Sequence, residues 1–186
     1  MRLFVALETS PEVREKIAVL VRELKPLDDS WKWTRAENLH ITLKFLGEIP
    51  TEASDRIVAA LKRVSFEQSL ALRFRGLGSF PNDRRPRVLW VGIDGPSGLA
   101  GLAENIERGL ECVGVPKEDR AFTPHLTLAR NKDAHISPKL REALASFSNR
   151  DFGTVVASAF HLVRSELKST GAEYTTLASF PCRQNT

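Results

Sequence analysis

The chain is poor in the features that mark secreted, membrane-embedded or metal-scaffolded proteins. It has 186 residues and only two cysteines, Cys112 and Cys182, which are too few for a disulfide framework or a multi-cysteine zinc site. No segment approaches the roughly 20 apolar residues of a membrane-spanning helix. The apolar run at the N-terminus is short and is followed by Glu8, unlike a signal peptide. These absences predict reduced thiols, a cytoplasmic location and no membrane partner.

A strong charge of one sign is also lacking. The chain has 27 Lys and Arg against 23 Asp and Glu, so its net charge is only +4. This mild excess fits a partner that carries phosphates, but it argues against a protein that wraps nucleic acid along its whole surface. Hydrophobic residues make up 42% of the chain, which is enough for a substantial core. No low-complexity segment or flexible linker interrupts the sequence.

What the chain does contain is an internal repeat. A shift of 85 residues aligns His-Ile-Thr-Leu at 40–43 with His-Leu-Thr-Leu at 125–128, without a gap. The matches on either side are of hydrophobic pattern. The repeat predicts a single bilobal domain over residues 1–186, with repeats of about 1–85 and 86–170 and a C-terminal strand at 173–180.

Strands and helices alternate along both repeats. Ser10 followed by Pro11 is typical of a helix start, and the same pair recurs at Ser137 and Pro138. Helices are predicted at about 11–26, 51–64, 97–112 and 137–147. Strands are predicted at about 3–7, 31–36, 39–46, 69–77, 87–93, 123–130, 154–167 and 173–180. This order predicts an α+β fold: a bilobal, duplicated βαβ-type repeat with two antiparallel-rich sheets facing a central cleft and helices on the outside.

The two His-x-Thr motifs carry the strongest functional signal. Residues i and i+2 of a strand share a face, so His40 and Thr42 point away from the core, and His125 and Thr127 do the same in the second repeat. The residues expected to face the core are Leu39, Ile41, Leu43 and Phe45 in the first repeat and Phe122, Leu126 and Leu128 in the second. A lone strand histidine is more often packed or solvated than catalytic, and it is the pairing that distinguishes these two.

Two imidazoles and two hydroxyls suit displacement at phosphorus. One neutral imidazole can take a proton from water while the other, protonated, gives one to a leaving oxygen, since their ordinary pKa lies near ~6.5. Threonine hydroxyls can bind the non-bridging oxygens of a phosphodiester. A metal site is the weaker interpretation, because neither motif has a carboxylate or thiol at i+2 or i+4. A nucleophilic serine or cysteine is weaker still, because no Gly-x-Ser-x-Gly elbow occurs.

With these motifs, the sequence resembles the two-histidine phosphoesterase superfamily, which is defined by two His-x-Thr motifs in a duplicated bilobal fold. Within it, the resemblance is to the bacterial and archaeal family of RNA 2′,3′-cyclic phosphodiesterases, also described as 2′-5′ RNA ligases. The resemblance covers nearly the whole chain. Besides the two motifs, the segments that carry it are Met1–Ala6, Lys44–Gly47, Phe80–Pro81, Pro86–Trp90, Phe122–Pro124, Ala129–Arg130, Ser165–Leu167 and Gly171–Tyr174.

The resemblance implies a reaction and roles for the motif residues. The reaction opens an RNA 2′,3′-cyclic phosphate to a 2′-phosphomonoester without a metal or any other cofactor. Run in reverse, the same geometry would allow 2′-5′ ligation. His40 would be the proton donor and His125 the proton acceptor. Thr42 and Thr127 would bind the phosphate, with Arg130 as a further phosphate ligand. The implied partners are RNA 3′ ends with a cyclic phosphate or small cyclic nucleotides, and a monomer suffices because both motifs lie in one chain.

Strand geometry leaves two interpretations open for each of two basic residues next to the motifs. Strict alternation places Arg130 on the face of Leu126 and Leu128, so it reaches the site only if the strand ends or bulges near Ala129. Lys44 shares the predicted face of His40 and could join the site or be a solvated lysine.

Other candidates have equally open interpretations. Arg84, Arg85 and Arg87 form a basic loop that could contact an RNA backbone or simply be solvated. Trp31 and Trp33 could stack bases, but core packing is the commoner role of tryptophan and neither is assigned to the site. His135 and His161 lack a partner motif and are interpreted as structural or surface residues. A non-catalytic module that binds RNA ends or nucleotides in the same cleft remains the alternative function.

Overall fold

The computed structural model describes residues 1–95, 97–169 and 171–183, so the last three residues of the predicted domain lie outside the described part. The strands are β1 (Arg2–Glu8), β2 (Lys32–Trp33), β3 (His40–Glu48), β4 (Leu70–Phe80), β5 (Val88–Asp94), β6 (His125–Arg130), β7 (Asp151–Ala157), β8 (Ala159–Lys168) and β9 (Gly171–Pro181). The helices are α1 (Pro11–Leu24), α2 (Ser54–Leu61), α3 (Ser97–Glu111) and α4 (Pro138–Ser146), with short 3₁₀ turns at Lys25–Leu27, Ala36–Asn38 and Thr51–Ala53.

The strands form two antiparallel halves joined at one seam. Their order is β7-β4-β5-β6-β3-β1-β8-β9, with β2 paired to the end of β6. Every neighbouring pair is antiparallel. At the seam, β3 and β6 share the single register pair Ile41–Leu126. The α+β, duplicated architecture predicted from the sequence is confirmed.

Each half of the sheet contains strands from both sequence repeats. Strand β4, the last of the first repeat, pairs with β5 in the half that holds His125. Strand β8, near the end of the second repeat, pairs with β1 in the half that holds His40. Because of this exchange, neither sequence repeat contains a complete half of the sheet.

One apolar core lies between the helices and one face of the sheet. Helix α1 begins where the Ser10 side chain accepts a hydrogen bond from the Val13 amide, at 3.3 Å, and Pro11 occupies the first turn. Its buried side chains recur at helical spacing and join the strand residues in one cluster: Val13, Ile17, Leu20 and Leu24. The opposite face of the sheet, called here the cleft face, carries the two motifs.

Three predicted elements differ from the observed ones. The strand expected at 154–167 is two strands, β7 and β8, which break at Ser158 and pair with different partners, β4 and β1. The strand expected at 31–36 shrinks to β2. The strand expected from 123 starts at His125, directly after Pro124, whose nitrogen cannot donate a ladder hydrogen bond. Among the described helices, none is long and apolar enough to cross a membrane.

Candidate active site

The two motifs meet at the seam of the sheet. Ile41 and Leu126 are the central residues of the two His-x-Thr motifs, and they form the one register pair between β3 and β6. In an antiparallel pair, this register directs residue 40 towards 127 and residue 42 towards 125. All four side chains are on the cleft face, because Ile41 and Leu126 are fully buried on the other face. The seam therefore has an approximate two-fold axis with one histidine and one threonine on each side.

Both histidines are held by backbone carbonyls in the same way. The His40 Nδ1–H donates to the Asn38 carbonyl, and the His125 Nδ1–H donates to the Thr123 carbonyl, each at 2.7 Å. These bonds fix the ring orientation and leave Nε2 as the reactive nitrogen of each ring. The Thr42 hydroxyl donates to Nε2 of neutral His40 at 3.0 Å. The chain can thus present two Nε2 atoms to one ligand.

Aromatic rings flank each imidazole. Phe4 lies 4.7 Å from His40, and Tyr174 meets the same ring edge-on at 5.3 Å, measured between ring centroids. Phe80 meets His125 edge-on at 5.0 Å. Strand alternation in β1 could have identified Phe4, because it places Phe4 on the cleft face, opposite to the face of the buried residues Leu3 and Val5. Tyr174 and Phe80 depend on strand pairing, which the sequence alone did not reveal.

The surroundings of both histidines favour the neutral ring. Burial lowers the pKa of His40 below its ordinary value of 6.5, the bond to Asn38 opposes this, and the positive charges of Arg130 and His125 lower the pKa further. Burial likewise lowers the pKa of His125, against the bond to Thr123, and Arg130 adds to the effect. An anion bound between the rings would reverse the electrostatic part of these shifts.

A β-bulge follows each motif and decides which way the next residues face. In β3, Ala6 is opposite Thr42 but Val5 is opposite Lys44, so Leu43 has no partner in the register. Phe45 is consequently 49% exposed on the cleft face, 6.2 Å from the Phe4 ring. The expectation that Phe45 faces the core is wrong, because the extra residue reverses the alternation.

The second bulge repeats the first. In β6, Trp90 is opposite Thr127 but Leu89 is opposite Ala129, so Leu128 is skipped. Leu128 and Ala129 are both buried, and Arg130 emerges on the cleft face. The bulge near Ala129 that the sequence required for Arg130 to reach the site is present.

Lys44 faces the core and is not a solvated lysine or a cleft residue. Its side chain is fully buried, and Nζ donates to Glu107 Oε1 at 2.6 Å and to the Pro116 carbonyl at 2.8 Å. The same Glu107 oxygen accepts from the Glu118 amide at 2.8 Å, and Glu118 Oε1 accepts from the Phe45 amide at 3.1 Å. This network fastens the segment that leads to His125 against the bulge of β3.

The remaining candidates separate into core and surface. Trp31 is buried in the core, whereas Trp33 is half-buried and lines a cavity of about 1290 Å³ beside the motifs. Arg85 and Arg87 of the basic loop also line this cavity, and Arg84 is exposed beside them. His161 bonds to the Ser179 hydroxyl at 2.9 Å, away from the motifs. Over residues 1–95, 97–169 and 171–183, no group of three or more His, Cys, Asp and Glu is placed to hold a metal ion.

The comparison with family models agrees with the internal repeat. The model of the LigT-like phosphoesterases matches the chain twice, over residues 7–90 and 91–174. The chain belongs to the LigT-like phosphoesterase family. Each match contains one His-x-Thr motif, so the family's own unit corresponds to one sequence repeat.

Curated relatives match over nearly their full length. A protein of Archaeoglobus fulgidus named RNA 2′,3′-cyclic phosphodiesterase is 36% identical over 180 residues, covering 97% of this chain and 99% of the relative. A Thermus thermophilus protein of the same name is 37% identical over 191 residues, covering 98% and 91%.

Solved LigT-like structures share the fold. A crystal structure from Thermus thermophilus has a TM-score of 0.83 and 35% identity, with complete coverage of both chains. The structure of E. coli LigT with 3′-AMP has a TM-score of 0.80 and 27% identity, with 98% of each chain covered.

Proposed function

We propose that this LigT-like phosphoesterase opens the 2′,3′-cyclic phosphate at RNA 3′ ends to a 2′-phosphomonoester, without a metal. The observation that carries the proposal is the seam itself: two carbonyl-anchored imidazoles lie on one face of the sheet, one on each side of an approximate two-fold axis. The curated relatives named RNA 2′,3′-cyclic phosphodiesterase support the substrate.

The reaction follows from acid–base catalysis across the seam. Nε2 of neutral His125 takes a proton from a water molecule as the water oxygen attacks phosphorus. The bond from phosphorus to the 3′ oxygen breaks, and Nε2–H of protonated His40 delivers a proton to that oxygen. The phosphate stays on the 2′ oxygen, and the enzyme regains its starting state when a proton passes between the histidines and solvent. An in-line displacement needs the two groups on opposite sides of phosphorus, and the pseudo-symmetry supports this arrangement.

Three side chains would hold the phosphate. The hydroxyls of Thr42 and Thr127 lie beside the histidines on the cleft face, and Arg130 emerges there after its bulge. Negative charge grows on the non-bridging oxygens in the transition state, where fixed donors and a guanidinium are most effective. A 5′-hydroxyl in place of water would form a 2′-5′ linkage by the same proton transfers.

Product analysis tests the proposal directly. An RNA that ends in a 2′,3′-cyclic phosphate is incubated with the protein, with and without a chelator, and the product is resolved as a 2′- or a 3′-phosphate. We expect the 2′-phosphate at an unchanged rate in chelator. A 3′-phosphate would contradict the proposed leaving group, loss of activity in chelator would contradict metal independence, and binding without any product would favour a non-catalytic module.

A further inference from the structure

Different structures hold the two carbonyls that anchor the histidine rings. The carbonyl for His40 belongs to Asn38, the last residue of the 3₁₀ turn Ala36–Asn38. The Asn38 side-chain amide donates to the Ala172 carbonyl of β9 at 2.8 Å, and the next residue, Leu39, is buried in the core. Regular local structure, a long-range hydrogen bond and apolar packing thus all fix the anchor of the first ring.

The carbonyl that anchors His125 belongs to an irregular segment. Residues 112–124 all lie in the described part of the chain, where they form neither a helix nor a strand, and Val115 is their one buried residue. A cavity of about 330 Å³ is bounded by residues 117–122, Leu43 and helix α3. Because this space is unfilled, apolar packing contributes little to holding the segment.

The segment is tied to the fold through a buried lysine and two carboxylates, called here the Lys44 network: Lys44, Glu107 and Glu118. Nζ of Lys44 donates to Glu107 Oε1 at 2.6 Å and to the Pro116 carbonyl at 2.8 Å. Glu107 Oε1 also accepts from the Glu118 amide at 2.8 Å, and Glu118 Oε1 accepts from the Phe45 amide at 3.1 Å. The network therefore joins β3, α3 and the segment that precedes the second motif.

The network occupies an edge of β3 that no strand covers. Strand β6 pairs with β3 only at Ile41, and of the described strands β1 alone pairs with β3 beyond that residue. On this open edge, the segment approaches β3 directly after the first motif, through the side chain of Glu118. A few residues later, the Thr123 carbonyl accepts from the His125 ring at 2.7 Å. The place of this ring relative to the first motif thus depends on where the network holds the segment.

Stability alone does not account for a lysine in this place. The side chain of Lys44 is fully buried, and a buried ion pair is often no more stable than apolar residues of similar volume. An ionic network differs from apolar contacts in its directionality, because each hydrogen bond requires a particular distance and angle.

We propose that Lys44, Glu107 and Glu118 are positioning residues that set the distance between His40 and His125 across the seam. They act on the rate through His125, whose ring is anchored by the segment they hold. The inference rests on the proposed function, in which His125 takes the proton from water.

Removal of the exposed member of the network provides the first test. Glu118→Ala removes the hydrogen bond to the Phe45 amide and leaves the buried pair of Lys44 and Glu107 in place. We expect kcat to fall by about 10-fold, since small displacements of a reacting group are costly. KM should change little, because Thr127 lies within β6, opposite Trp90.

A conservative variant and a neighbouring variant serve as controls for this test. Glu118→Gln keeps an acceptor oxygen at the same place and should retain most of the rate. Asp119→Ala removes an exposed carboxylate of the same segment that takes no part in the network, and it should leave kcat unchanged. Equal kcat values for Glu118→Ala and Asp119→Ala would overturn the proposal.

A variant without the buried charges separates positioning from stability. Lys44→Met with Glu107→Leu leaves no unpaired charge in the interior, yet it removes the bonds to Pro116 and to the Glu118 amide. We expect kcat to fall by about 10- to 100-fold in the folded protein, as measured well below its Tm. Full kcat in this double variant would overturn the proposal.

A further comparison identifies the histidine through which the network acts. In the proposed reaction, a substrate with sulfur in place of the 3′ bridging oxygen no longer needs the proton from His40. Glu118→Ala should therefore slow the sulfur and the oxygen substrates by the same factor. Added to His125→Ala, it should cause no further loss. Recovery of the rate on the sulfur substrate, or an undiminished further loss in His125→Ala, would overturn the proposal.

Nuclear magnetic resonance separates failure of this inference from failure of the proposed function. In protein labelled with ¹⁵N at histidine, the Nδ1–H signal of each ring reports its hydrogen bond to the anchoring carbonyl. We expect Glu118→Ala to shift the His125 signal and to speed its exchange with water, while the His40 signal stays unchanged. If the wild-type protein opens no cyclic phosphate but the His125 signal alone responds, the proposed function fails and the positioning of His125 stands. If neither signal responds, or if both respond equally, the inference fails.

Discussion

The two halves of the sheet start from the same motif and diverge two residues after its threonine. Both contain His-x-Thr-Leu, both anchor Nδ1 to a carbonyl two residues earlier, and both have a bulge at the following leucine. After the bulge, the half with His40 has Phe45 on the cleft face and buried Lys44, and the half with His125 has Arg130 and buried Ala129. The backbone around the two motifs is thus nearly symmetric, whereas the side chains that follow the motifs are not.

The divergence gives the two histidines of a duplicated fold different surroundings, which fits the different roles proposed for them. Arg130 has Phe45 as its counterpart in the other half, while the aromatic rings of Phe4 and Tyr174 lie beside His40. The buried lysine serves a different purpose, since it links β3 to the segment that delivers His125. Each of these differences can be tested by removing it.

The largest expected effect comes from removing either histidine. His40→Ala and His125→Ala should each lower kcat by about 10²–10⁴-fold, because each loses one proton transfer. Sulfur in place of the 3′ bridging oxygen should restore much of the rate to His40→Ala alone, since a thiolate leaves without a proton. His161→Ala, which alters a histidine outside the site, serves as the control. Rescue of His125→Ala instead would reverse the assigned roles.

Lys44 gives the largest expected effect on stability. Lys44→Met leaves Glu107, whose side chain is 15% exposed, without its buried cation and should lower the free energy of unfolding by about 3–5 kcal/mol. Urea denaturation measures this, with Lys16→Met as the matched control. Lys16 forms an exposed pair with Glu12, so its loss should cost less than about 1 kcal/mol.

A double variant checks the cause of that loss. Lys44→Met with Glu107→Leu removes both charges and should recover part of the stability. If the single Lys44 variant is as stable as the Lys16 variant, the network does not hold the two halves together.

Arg130 and Phe45 occupy equivalent positions and should differ sharply in activity. Arg130→Ala should lower kcat by about 10²–10³-fold, as for loss of one donor to a developing oxyanion. Arg130→Lys should retain part of that rate, since it keeps the charge. Phe45→Ala is the positional control and should have little effect on kcat. Similar losses for both alanine variants would mean that the guanidinium does not stabilise the transition state.

The smallest expected effect is a shift in pH dependence. The kcat/KM profile reports the free enzyme, in which the proposed roles require His125 to be neutral and His40 to be protonated. Because burial and Arg130 lower the pKa of both, the acidic and basic limbs of kcat/KM should lie at lower pH than for ordinary histidines. A bound phosphate raises the pKa of His40, so the basic limb of kcat should lie at higher pH than that of kcat/KM.

Arg130→Ala sharpens the pH comparison. Removing the guanidinium takes away a charge that lowers both pKa values, so the whole kcat/KM profile should move to higher pH. Arg85→Ala is the control, because the charge of Arg85 is not among those that lower the pKa of His40 or His125. An unchanged profile in Arg130→Ala would show that its charge does not act on the histidines.

The motifs were predictable because their information is local. The face of His40 and Thr42 follows from strand alternation, and α1 follows from Ser10, Pro11 and regularly spaced apolar residues. The division of 154–167 into β7 and β8 was not predictable, because one short break at Ser158 separates strands that pair far apart in the sheet. Local pattern identifies a strand and does not identify its partner.

The sequence by itself determined the duplication, the two His-x-Thr motifs and the faces of their side chains, since a strand alternates with a period of two whatever it pairs with. Only the tertiary structure decided the orientation of the residues after each motif. The bulges at Leu43 and Leu128 depend on the registers with β1 and β5, and they bury Lys44 and bring Arg130 to the cleft face. The cavity beside the motifs likewise gathers basic residues from distant segments. Its positive charge cannot be located from the net value of +4, which counts residues wherever they lie.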